Sequence, residues 1–446
     1  MHWLINRLQD NSSKIAIADR EIEYSYETLK DKIEEYYVRF QKEITPGECV
    51  TILSDYSFYS IAAFIALLIN KNIIVPITTK VTEEIEDRIS TSGAEKNIVI
   101  KSENLSIENV ENNSEKHQYY KNLINLNHSG LVLFSSGSTG KPKAMVHDLD
   151  VLVETYINKK QRSLNFLVFL MFDHIGGLNT LLNCLSMGAT ITIPEYREPE
   201  HICKLIEKYN VNVLPSSPTF LNLLILSESH RKYDLSSLIM ITYGTEPMPE
   251  ELLRRIKEAF PKTKLLQTFG TSETGITTTA SKSSSSTFIK IDDPNTDYKI
   301  VEGELWIKSK TQILGYLNAS MDRFTEDGWF KTGDLTEATE DGFIKIIGRN
   351  SDIINVGGEK VLPAEVESVL LQMPEIADCM VYGENNPLTG QIVVADVVLK
   401  NESVKNDIKK LIQRYCGDKI SRYKIPVKIK VKDRTSFSDR FKKIRR

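Results

Sequence analysis

The sequence predicts an α/β fold, in which a large N-terminal domain with doubly wound sheets and additional β elements precedes a small mobile α/β domain. Short apolar runs alternate with helical patterns along most of the chain, as is typical of parallel sheets covered by helices. The 446 residues are too many for one compact core. A polar break at residues 348–352 indicates a hinge, so we expect domains at residues 1–348 and 349–446.

The first strand–helix–strand unit lies near the N-terminus. Residues 50–53 and 73–77 are short apolar runs that predict strands, and residues 60–69 between them predict a helix. A strand, a helix and a second strand at this spacing indicate two parallel strands joined by a crossover helix. Residues 103–121 are polar and contain several Asn and Glu, so we expect a surface loop there.

The same alternation continues through the middle of the chain. It predicts four strands and three helices: strands at residues 165–171, 190–193, 211–214 and 238–243, and helices at 178–185, 202–209 and 250–259. A further strand is expected at residues 343–347, just before the polar break. Beyond the break, residues 363–373 predict a helix, with Glu365 in its first turn where an acidic side chain suits the helix dipole.

The overall composition is that of an ordinary globular protein, with 41% hydrophobic and 26% charged residues. A net charge of −4 predicts no general attraction to nucleic acid. The longest apolar run, residues 61–69, is shorter than the roughly 20 residues that cross a bilayer, so we expect no membrane span. The polar N-terminus lacks the apolar core of a signal peptide, which favours a cytoplasmic protein. The five cysteines are scattered, so neither structural zinc nor a disulfide framework is expected.

The first segment that indicates chemistry follows the apolar run at residues 131–134. Small residues and then two lysines make up this segment: Ser135, Ser136, Gly137, Ser138, Thr139, Gly140, Lys141, Pro142 and Lys143. The backbone amides of such a loop can surround a phosphate, and hydroxyl and ammonium groups complete the site. The loop is not a Walker A motif, because Pro142 stands where that motif needs Ser or Thr. The alternative is a flexible Ser/Gly linker.

Two further segments carry acidic residues that suit a nucleotide. Glu273 lies among hydroxyl residues and glycines, and a single carboxylate of this kind can hold Mg²⁺ together with substrate phosphate. Asp334 and Arg349 lie in turn-rich segments from which both can reach a ribose. Taken alone, each segment is better explained as a polar turn, because Asp-Gly and Thr-Gly-Asp are common turn sequences.

Together, the three segments resemble the adenylate-forming superfamily of acyl-CoA synthetases, aryl-acid ligases and peptide-synthetase adenylation domains. The resemblance extends over most of the chain and includes residues 303–307, 315–317 and 356–367. It implies an enzyme that activates a carboxylic acid with ATP as an acyl-AMP and then passes the acyl group to a thiol. The implied cofactors and partners are ATP, Mg²⁺, a small carboxylic acid, and either CoA or the phosphopantetheine of an acyl carrier protein.

The resemblance also implies roles for individual residues. Residues 135–143 would bind the phosphates, Thr271 would contact them, and Glu273 would hold the metal. Asp334, assisted by Arg349, would bind the ribose hydroxyls. The other nucleotide-binding residues implied by the resemblance are Gly244, Thr245, Glu246, Thr268, Phe269 and Gly270. After rotation of the small domain, Gly357 and Gly358 would line the path of the thiol.

The family's catalytic lysine lies near the C-terminus in a Gly-Lys-Ile-like setting, which Lys443 and the following isoleucine match. Its ammonium would stabilise charge on the reacting carboxylate and α-phosphate. Lys442 replaces the glycine, so either of two adjacent lysines can hold the role. Phe437 and Asp439 replace the usual Pro and Thr, and Ser351 stands at the hinge position where Asp or Lys is common. The alternative is therefore a catalytically impaired acyl- or nucleotide-binding protein on the same fold.

Residues 172–178 resemble the family's acyl-pocket motif. His174 stands where acyl- and aryl-CoA ligases have a histidine, and Ile175 stands where amino-acid-activating domains have the aspartate that pairs with the substrate ammonium. A buried ammonium without a carboxylate is costly, so we expect a small to medium non-amino acid. A register shift of two residues, which would give that role to Asp173, is the alternative. The other pocket residues implied are Gly176 and Tyr243.

From Lys400 to the C-terminus, Lys and Arg outnumber Asp and Glu about three to one. This excess fits an ordinary solvated face, and it also fits a docking surface for the phosphates of CoA or for the acidic helix of a carrier protein. A nucleic-acid partner is not expected, because no recognised motif surrounds Phe437 and Phe441 among these basic residues.

Overall fold

The computed structural model describes residues 2–112, 115–135, 141–438 and 440–444. The first part of the chain alternates strands and helices up to the predicted phosphate loop. Its elements are α1 (Trp3–Asp10), β1 (Ile15–Asp19), β2 (Ile22–Ser25), α2 (Tyr26–Glu43), β3 (Cys49–Leu53), α3 (Phe58–Ile69), β4 (Ile73–Ile77), α4 (Thr82–Ser92), β5 (Lys96–Lys101), β6 (Asn104–Asn109), α5 (Gln118–Leu126) and β7 (Gly130–Ser135).

The alternation continues after the loop. The next elements are β8 (Lys143–Asp148), α6 (Leu149–Glu154), β9 (Asn165–Leu167), α7 (Ile175–Met187), β10 (Thr190–Ile193), α8 (Pro199–Tyr209), β11 (Val213–Ser216), α9 (Pro218–Leu226), β12 (Met240–Tyr243), α10 (Glu250–Ala259) and β13 (Lys264–Gln267). Strands then follow one another: β14 (Phe269–Thr271), β15 (Gly275–Thr277), β16 (Thr279–Ser281), β17 (Ile289–Ile291), β18 (Thr296–Val301), β19 (Glu304–Ser309), β20 (Gly315–Tyr316), β21 (Phe330–Ala338) and β22 (Ile344–Arg349).

The C-terminal part forms a smaller α/β unit. Its elements are β23 (Ile354–Val356), β24 (Glu359–Val361), α11 (Pro363–Leu370), β25 (Ile376–Asn386), β26 (Gly390–Leu399), α12 (Ile408–Gly417) and β27 (Lys428–Val431). They make a five-stranded sheet in which β24, β23, β26 and β25 are neighbours in that order and β27 pairs with β26. Its own apolar cluster includes α11, α12 and both long strands, so this unit has a separate core.

Two seven-stranded sheets form the large domain. One has the order β13-β12-β11-β9-β10-β1-β2, and all its pairs are parallel except that of β1 with β2. The other has the order β20-β8-β7-β4-β3-β5-β6, with parallel strands at its centre and antiparallel strands at its edges. A third, six-stranded antiparallel sheet has the order β16-β17-β22-β21-β19-β18.

Helices lie on both faces of the two large sheets. The largest apolar cluster contains residues of α1, α2, α3 and α7 together with strands of both sheets, so these helices are packed between them. Helices α8, α9 and α10 cover the other face of the first sheet, and α4 and α5 cover that of the second. Burial on all sides explains why α3 is almost wholly apolar, and Ser57 and Ser60 begin it with a reciprocal capping box.

The predicted fold class, a large N-terminal α/β domain followed by a smaller α/β domain, is confirmed. The predicted loop at residues 103–121 is wrong in part, because β6 occupies residues 104–109 and pairs antiparallel with β5 at the sheet edge. The strand predicted at residues 165–171 is shorter, since β9 ends at Leu167. Within the described part of the chain, no helix has both the length and the apolar composition needed to cross a membrane.

Candidate active site

The predicted phosphate loop begins where a buried strand ends. β7 pairs antiparallel with β8, and Ser135 lies opposite Lys143, so the chain leaves the sheet and returns to it at one point. The loop residues between these strands lie outside the described residues: Ser136, Gly137, Ser138, Thr139 and Gly140. Lys141 is exposed, whereas the Lys143 ammonium lies 5.3 Å from the centre of the Tyr316 ring.

Glu273 lies in the turn between β14 and β15, and hydroxyl groups fix this turn. Thr274 N donates to Thr271 Oγ1 at 3.1 Å, and the hydroxyls of the two threonines are 2.9 Å apart. The phenol of Tyr316 donates to Glu273 Oε1 at 3.0 Å and so orients the carboxylate. Burial, and then the charge of Glu273, raises the pKa of Tyr316, so the phenol remains a hydrogen-bond donor at neutral pH.

Asp334 and Arg349 are cross-strand partners on β21 and β22. Asp334 is 5% exposed, and Arg349 Nε donates to its Oδ1 at 3.0 Å. Burial raises the pKa of Asp334, and the charge of Arg349 opposes this shift. Asp334 in turn raises the pKa of Arg349. A carboxylate beside a guanidinium offers both acceptors and donors to sugar hydroxyl groups.

The ends of β12 and β13 approach each other closely. Thr268 N donates to Tyr243 O at 2.8 Å, and the Thr268 hydroxyl donates to the same oxygen at 3.2 Å. A Cβ added to Gly244 would lie 2.7 Å from Thr268 Oγ1 and 2.8 Å from Thr268 O, so glycine is required for this approach. Thr245 has a φ of 75°, and backbone strain of this kind concentrates at functional sites.

The neighbouring residues hold these strand ends in place. Glu246 Oε1 accepts a hydrogen bond from Thr219 N at 2.7 Å, which ties the end of β12 to the first turn of α9. Gly270 lies against β15, where an added Cβ would come within 2.6 Å of Gly275 O. Phe269 is buried in the core of the six-stranded sheet.

His174 begins α7 as its N-cap residue. Its Nδ1 accepts a hydrogen bond from Gly176 N at 3.0 Å, and the side chain is 8% exposed. Burial, and then the charges of Lys442 and Arg440, hold the pKa of His174 well below its usual value, so the ring is neutral at pH 7. The preceding residue, Asp173, accepts a hydrogen bond from Arg440 at 3.0 Å, so His174 lies beside the C-terminal tail. Ile175 and Tyr243, the other predicted pocket side chains, are both buried.

The C-terminal tail forms a tight hairpin. Phe437 pairs antiparallel with Lys443, and Ser438 N donates to Lys442 O at 2.9 Å. Asp439, where the sequence departs from the family pattern, lies outside the described residues. Within this hairpin, the side chains of Arg440 and Phe441 contact the large domain.

Phe441 anchors the hairpin in the large domain. Its ring centre lies 5.1 Å from that of Phe169 and 5.4 Å from that of Phe220. Ser217 Oγ donates to Phe441 O at 2.9 Å. The φ of Phe441 is 51°, the left-handed conformation that glycine adopts at little cost. Phe441, the residue before Lys442, thus has a backbone conformation that is typical of glycine.

Lys442 lies half-buried among the charged groups of the site. Burial, followed by the nearby charges of Arg349 and Arg440, lowers the pKa of Lys442 to about 8, and Glu246 and Asp334 oppose this shift. The ammonium therefore lies close to the Asp334–Arg349 pair, which is the predicted ribose site.

Lys443, the predicted catalytic lysine, does not lie with Lys442 at the Asp334–Arg349 pair. Its Nζ lies 3.2 Å from Asp378 Oδ1 and 2.6 Å from Cys379 O, both on β25 of the small domain. Although burial disfavours its charge, Asp378 and Glu367 raise the pKa of Lys443. The left-handed residue of the tail is Phe441, which directly precedes Lys442, so the structure favours Lys442 over the predicted Lys443 as the lysine of this site.

The predicted thiol-path glycines, Gly357 and Gly358, form the turn between β23 and β24. Their φ angles are 62° and 91°, and a Cβ added to either would meet nothing within 4 Å. Gly357 N donates to Thr389 O at 2.8 Å, which fixes the turn against the end of β26. The structure therefore places this open turn on the small-domain sheet.

Two residues at the site, Tyr316 and Arg440, were not assigned from the sequence, and Asp173 was named only as the alternative partner for a substrate ammonium. Tyr316 lies within residues 315–317, which contribute to the family resemblance, so the sequence contained a signal that could have placed it at the site, where it binds Glu273. Arg440 Nη2 donates to Asp173 Oδ2 at 3.0 Å across 267 positions of sequence. No local pattern can reveal a pair so far apart.

These contacts form one continuous group around the end of β7. The Lys143 ammonium lies over the Tyr316 ring, and Tyr316 donates a hydrogen bond to Glu273. The charge of Glu273 contributes to the raised pKa of Arg349. Arg349 donates a hydrogen bond to Asp334, and the charges of both residues act on Lys442. Arg440 Nη1 donates to Phe134 O on β7 at 3.3 Å. An arrangement with several cations beside a backbone loop can bind a polyanion and stabilise charge that develops at one phosphorus.

Family models match both parts of the chain. A model described as AMP-binding enzyme matches residues 5–317, and one described as AMP-binding enzyme C-terminal domain matches residues 365–437.

Several curated proteins are similar to the chain. The probable CoA ligase CCL5 of Humulus lupulus is 33% identical over 326 residues, which is 66% of this chain and 59% of that protein. The peroxisomal OPC-8:0-CoA ligase 1 of Arabidopsis thaliana is 31% identical over 68% of this chain and 60% of its own length. The 2-succinylbenzoate–CoA ligase of Bacillus licheniformis is 29% identical over 68% and 66%. The chain thus spans less than two thirds of the length of these relatives.

Solved structures share the fold over nearly the whole chain. The anthranilate CoA ligase AuaEII in complex with anthranoyl-AMP has a TM-score of 0.81 at 20% identity, over 99% of this chain and 95% of that one. The o-succinylbenzoate CoA synthetase MenE of Bacillus subtilis, in complex with its acyl-adenylate OSB-AMP, has a TM-score of 0.77 at 22% identity, over 99% and 96%. At this level of identity, the similarity shows the fold alone.

Proposed function

The chain belongs to the family of AMP-binding enzymes, and from this membership we propose that it is an ATP-dependent acid–thiol ligase. It activates a carboxylic acid as an acyl-AMP with release of pyrophosphate, and it then transfers the acyl group to a thiol. The observation that carries the proposal is that Arg440, in the same hairpin as Lys442, donates to Phe134 O on the strand that leads into the phosphate loop, while the charges of Asp334 and Arg349, which bind each other, act on Lys442. A cation, a ribose-binding pair and a phosphate loop at one place are what adenylation needs.

Three parts of the chain would hold ATP in this proposal. Residues 135–143 bind the phosphates, and the flanking Ser135 and Lys143 are already opposite each other on β7 and β8. Asp334 accepts hydrogen bonds from the ribose hydroxyls, and Arg349 keeps its carboxylate oriented. Residues 244–246 and 268–270 line the adenine side, where the close approach of two strand ends is fixed by hydrogen bonds.

Glu273 is the residue that would hold Mg²⁺. Its Oε1 accepts from the Tyr316 phenol, and within the described residues Oε2 has no hydrogen-bond partner and can face a cation. Mg²⁺ prefers a few protein oxygens combined with substrate phosphate, so a single oriented carboxylate fits it. When bound, the ion would neutralise phosphate charge. The contribution of Tyr316 is to keep Glu273 in one orientation.

Lys442 carries the chemistry of the first half-reaction. A bond forms between a carboxylate oxygen of the acid and the α-phosphorus, and the bond from that phosphorus to the oxygen that leaves with pyrophosphate breaks. Two negative groups must meet, and a positioned ammonium offsets their repulsion more in the transition state than in the separated substrates. Because the pKa of Lys442 is about 8, the ammonium is mostly protonated at pH 7.

The second half-reaction requires the thiol to reach the acyl-AMP carbonyl and to expel AMP. We place the domain boundary between residues 348 and 349, at the last residue of β22; the small-domain strands begin at Ile354. A rotation there would withdraw Lys442 and bring in the open turn of Gly357 and Gly358, whose positive φ angles and free surroundings support this role.

The acid is proposed to be a small to medium carboxylic acid without an α-amino group. Ile175 is buried and apolar, and His174 is neutral, so neither can pair with an ammonium. The alternative partner, Asp173, already accepts hydrogen bonds from Arg88 and Arg440 on the same Oδ2. Asp173 Oδ1 has no hydrogen-bond partner among the described residues, but two arginines already offset the charge of this carboxylate, so a substrate ammonium would gain little from it, which supports the non-amino acid.

CoA is the proposed acceptor, and the phosphopantetheine of a carrier protein is the second possibility. The relatives reported above are named as CoA ligases, which supports CoA. Each acceptor presents negative charge, and the basic residues of the small domain provide a complementary surface.

The proposal is tested with a panel of carboxylic acids in which acyl-AMP is trapped by hydroxylamine and hydroxamate is measured. ATP-dependent hydroxamate formation with at least one non-amino acid is the expected result, followed by thioester formation when CoA is supplied. Preferred activation of an α-amino acid would refute the substrate class. If no acid supports hydroxamate formation or pyrophosphate exchange while ATP still binds, the chain is a binding protein and the ligase proposal fails.

A further inference from the structure

A buried carboxylate outside the nucleotide residues joins the C-terminal tail to the large domain. Asp173 is 3% exposed, and its Oδ2 accepts from Arg88 Nη1 at 3.1 Å and from Arg440 Nη2 at 3.0 Å. Arg88 lies on α4, Asp173 lies just before α7, and Arg440 lies in the tail hairpin. Three distant segments of the chain therefore meet at one oxygen atom.

Both arginines also contact the strand that leads into the phosphate loop. Arg440 Nη1 donates to Phe134 O at 3.3 Å, and the Arg88 guanidinium lies 5.7 Å from the centre of the Phe134 ring. Phe134 immediately precedes Ser135, the first residue of the predicted loop. The ion group is therefore built onto the part of the backbone from which the phosphate loop starts.

This ion group is not explained by stability. Arg88 Nη2 also lies 3.5 Å from Glu84 Oε2, so two guanidinium groups face two carboxylates, and removing such charges from water is costly. Within the described ranges, Asp173 Oδ1 and Arg88 Nε are buried and have no hydrogen-bond partner. Groups of this kind are often no more stable than an apolar replacement, but they can specify a single arrangement of the chain.

Arg440 lies in the same tail as Lys442, so contacts that fix Arg440 also influence where Lys442 lies. Phe441 and Lys442 follow it directly, and Lys443 is fixed to Asp378 of the small domain. The segment that carries Lys442 is thus held at one end by the large domain and at the other by the small domain. Releasing the Arg440 end would leave Lys442 attached through the small domain and the Phe441 ring.

We propose that Arg440 is a positioning residue for adenylation: by binding Asp173 and the Phe134 carbonyl, it holds the tail so that Lys442 faces the α-phosphate beside the phosphate loop. This inference rests on the proposed function. Arg440 acts through Lys442 in two ways, because it fixes the hairpin and because its charge contributes to the lowered pKa of that lysine.

The test compares Arg440→Gln and Arg440→Lys with the wild type in the full chain. The matched control is Arg434→Gln, since Arg434 is an exposed arginine of the same tail region. We expect Arg440→Gln to lower kcat of acid-dependent pyrophosphate exchange about 100-fold, the size of effect that a misplacement near 1 Å produces, with a smaller change in KM for ATP. Arg440→Lys should recover part of the rate, and Arg434→Gln should match the wild type.

Two readouts separate positioning from general stability. Thioester formation from supplied acyl-AMP should be nearly unchanged in Arg440→Gln, because that half-reaction follows withdrawal of the tail. The alkaline limb of the exchange rate should move to higher pH, because one of the cations that lower the pKa of Lys442 is gone. Asp173→Asn combined with Arg440→Gln should be less harmful than the sum of the single changes, since the two residues form one pair.

Other outcomes overturn the inference. Wild-type exchange in Arg440→Gln would remove Arg440 from the mechanism, and so would an equal loss of both half-reactions with a lowered Tm. If the wild type itself shows no exchange with any acid, the proposed function fails. Hydrogen–deuterium exchange of the tail amides then decides the inference separately. Faster exchange at residues 438–444 in Arg440→Gln but not in Arg434→Gln supports the tail contact, and equal exchange refutes it.

Discussion

Replacing Lys442 with methionine should slow acyl-AMP formation about 100- to 1,000-fold, because removal of one positioned group that stabilises transition-state charge typically costs about 2.7–4 kcal/mol. The side chain is half-buried, and no carboxylate of the described residues lies within ion-pair distance of its ammonium, so its loss should leave Tm almost unchanged. Acid-dependent pyrophosphate exchange measures the effect, and thermal unfolding checks that the fold is intact. Thioester formation from supplied acyl-AMP should be largely spared.

Lys443 should behave in the opposite way. Lys443 and Asp378 form an ion pair whose side chains are 9% and 6% exposed, and removing one partner of such a buried pair costs about 3–5 kcal/mol. Lys443→Met should therefore lower Tm. The double variant Lys443→Met with Asp378→Asn leaves neither charge unpaired, so it should be more stable than the single variant and should keep most of the exchange activity.

The pH dependence provides an independent check on the assignment. The pKa of Lys442 is lowered to about 8, so the protonated form that supports adenylation is present below this pH and is lost as the pH rises through it. Exchange should therefore fall above about pH 8 in the wild type, and this limb should be absent from the residual activity of Lys442→Met. Normal exchange in Lys442→Met, together with an inactive but folded Lys443→Met/Asp378→Asn variant, would refute the assignment to Lys442.

The other predictions concern the nucleotide site. Asp334→Ala should raise KM for ATP about 10- to 100-fold through loss of a charged hydrogen-bond acceptor, and equilibrium ATP binding measures this. Tyr316→Phe should raise the Mg²⁺ concentration for half-maximal exchange about 10-fold, because Glu273 loses its orienting donor; an unchanged Mg²⁺ titration would contradict this. Gly244→Ala places a Cβ 2.8 Å from the backbone oxygen of Thr268, so it should weaken ATP binding; alanine with wild-type affinity would show that the strand ends can separate freely.

The elements that carry a local signal could be predicted from the sequence. The apolar run before Ser135 predicts β7, and Asp334 and Arg349 are cross-strand partners on the strands around the predicted turn. The strand at residues 104–109 could not be distinguished from a loop, because only Leu105 and Ile107 are partly buried and its other side chains are exposed. A half-exposed edge strand contains little apolar patterning, so composition is misleading there.

The register of the catalytic lysine could not be read from the sequence, and the reason is a backbone angle. The family pattern places glycine before the lysine, and with no glycine present the best match put Lys442 in that place. In the structure, the residue with positive φ is Phe441. A bulky residue adopts this conformation only when tertiary contacts compensate, and those contacts are with Phe169 and Phe220, far away in sequence.

The departures at the C-terminus compensate for one another, so they do not argue for an impaired enzyme. A left-handed backbone at a residue other than glycine costs about 1–2 kcal/mol, and an aromatic pair contributes about 0.5–1.5 kcal/mol beyond the area it buries. Phe441 makes such contacts with Phe169 and Phe220, and Phe437 stacks on it with ring centres 5.6 Å apart. The aromatic group thus stabilises a turn in which Phe441 adopts the left-handed conformation typical of glycine. Because Phe437 and Phe441 act together, the residue that follows the turn, Lys442, keeps its ammonium among the charges of Asp334 and Arg349.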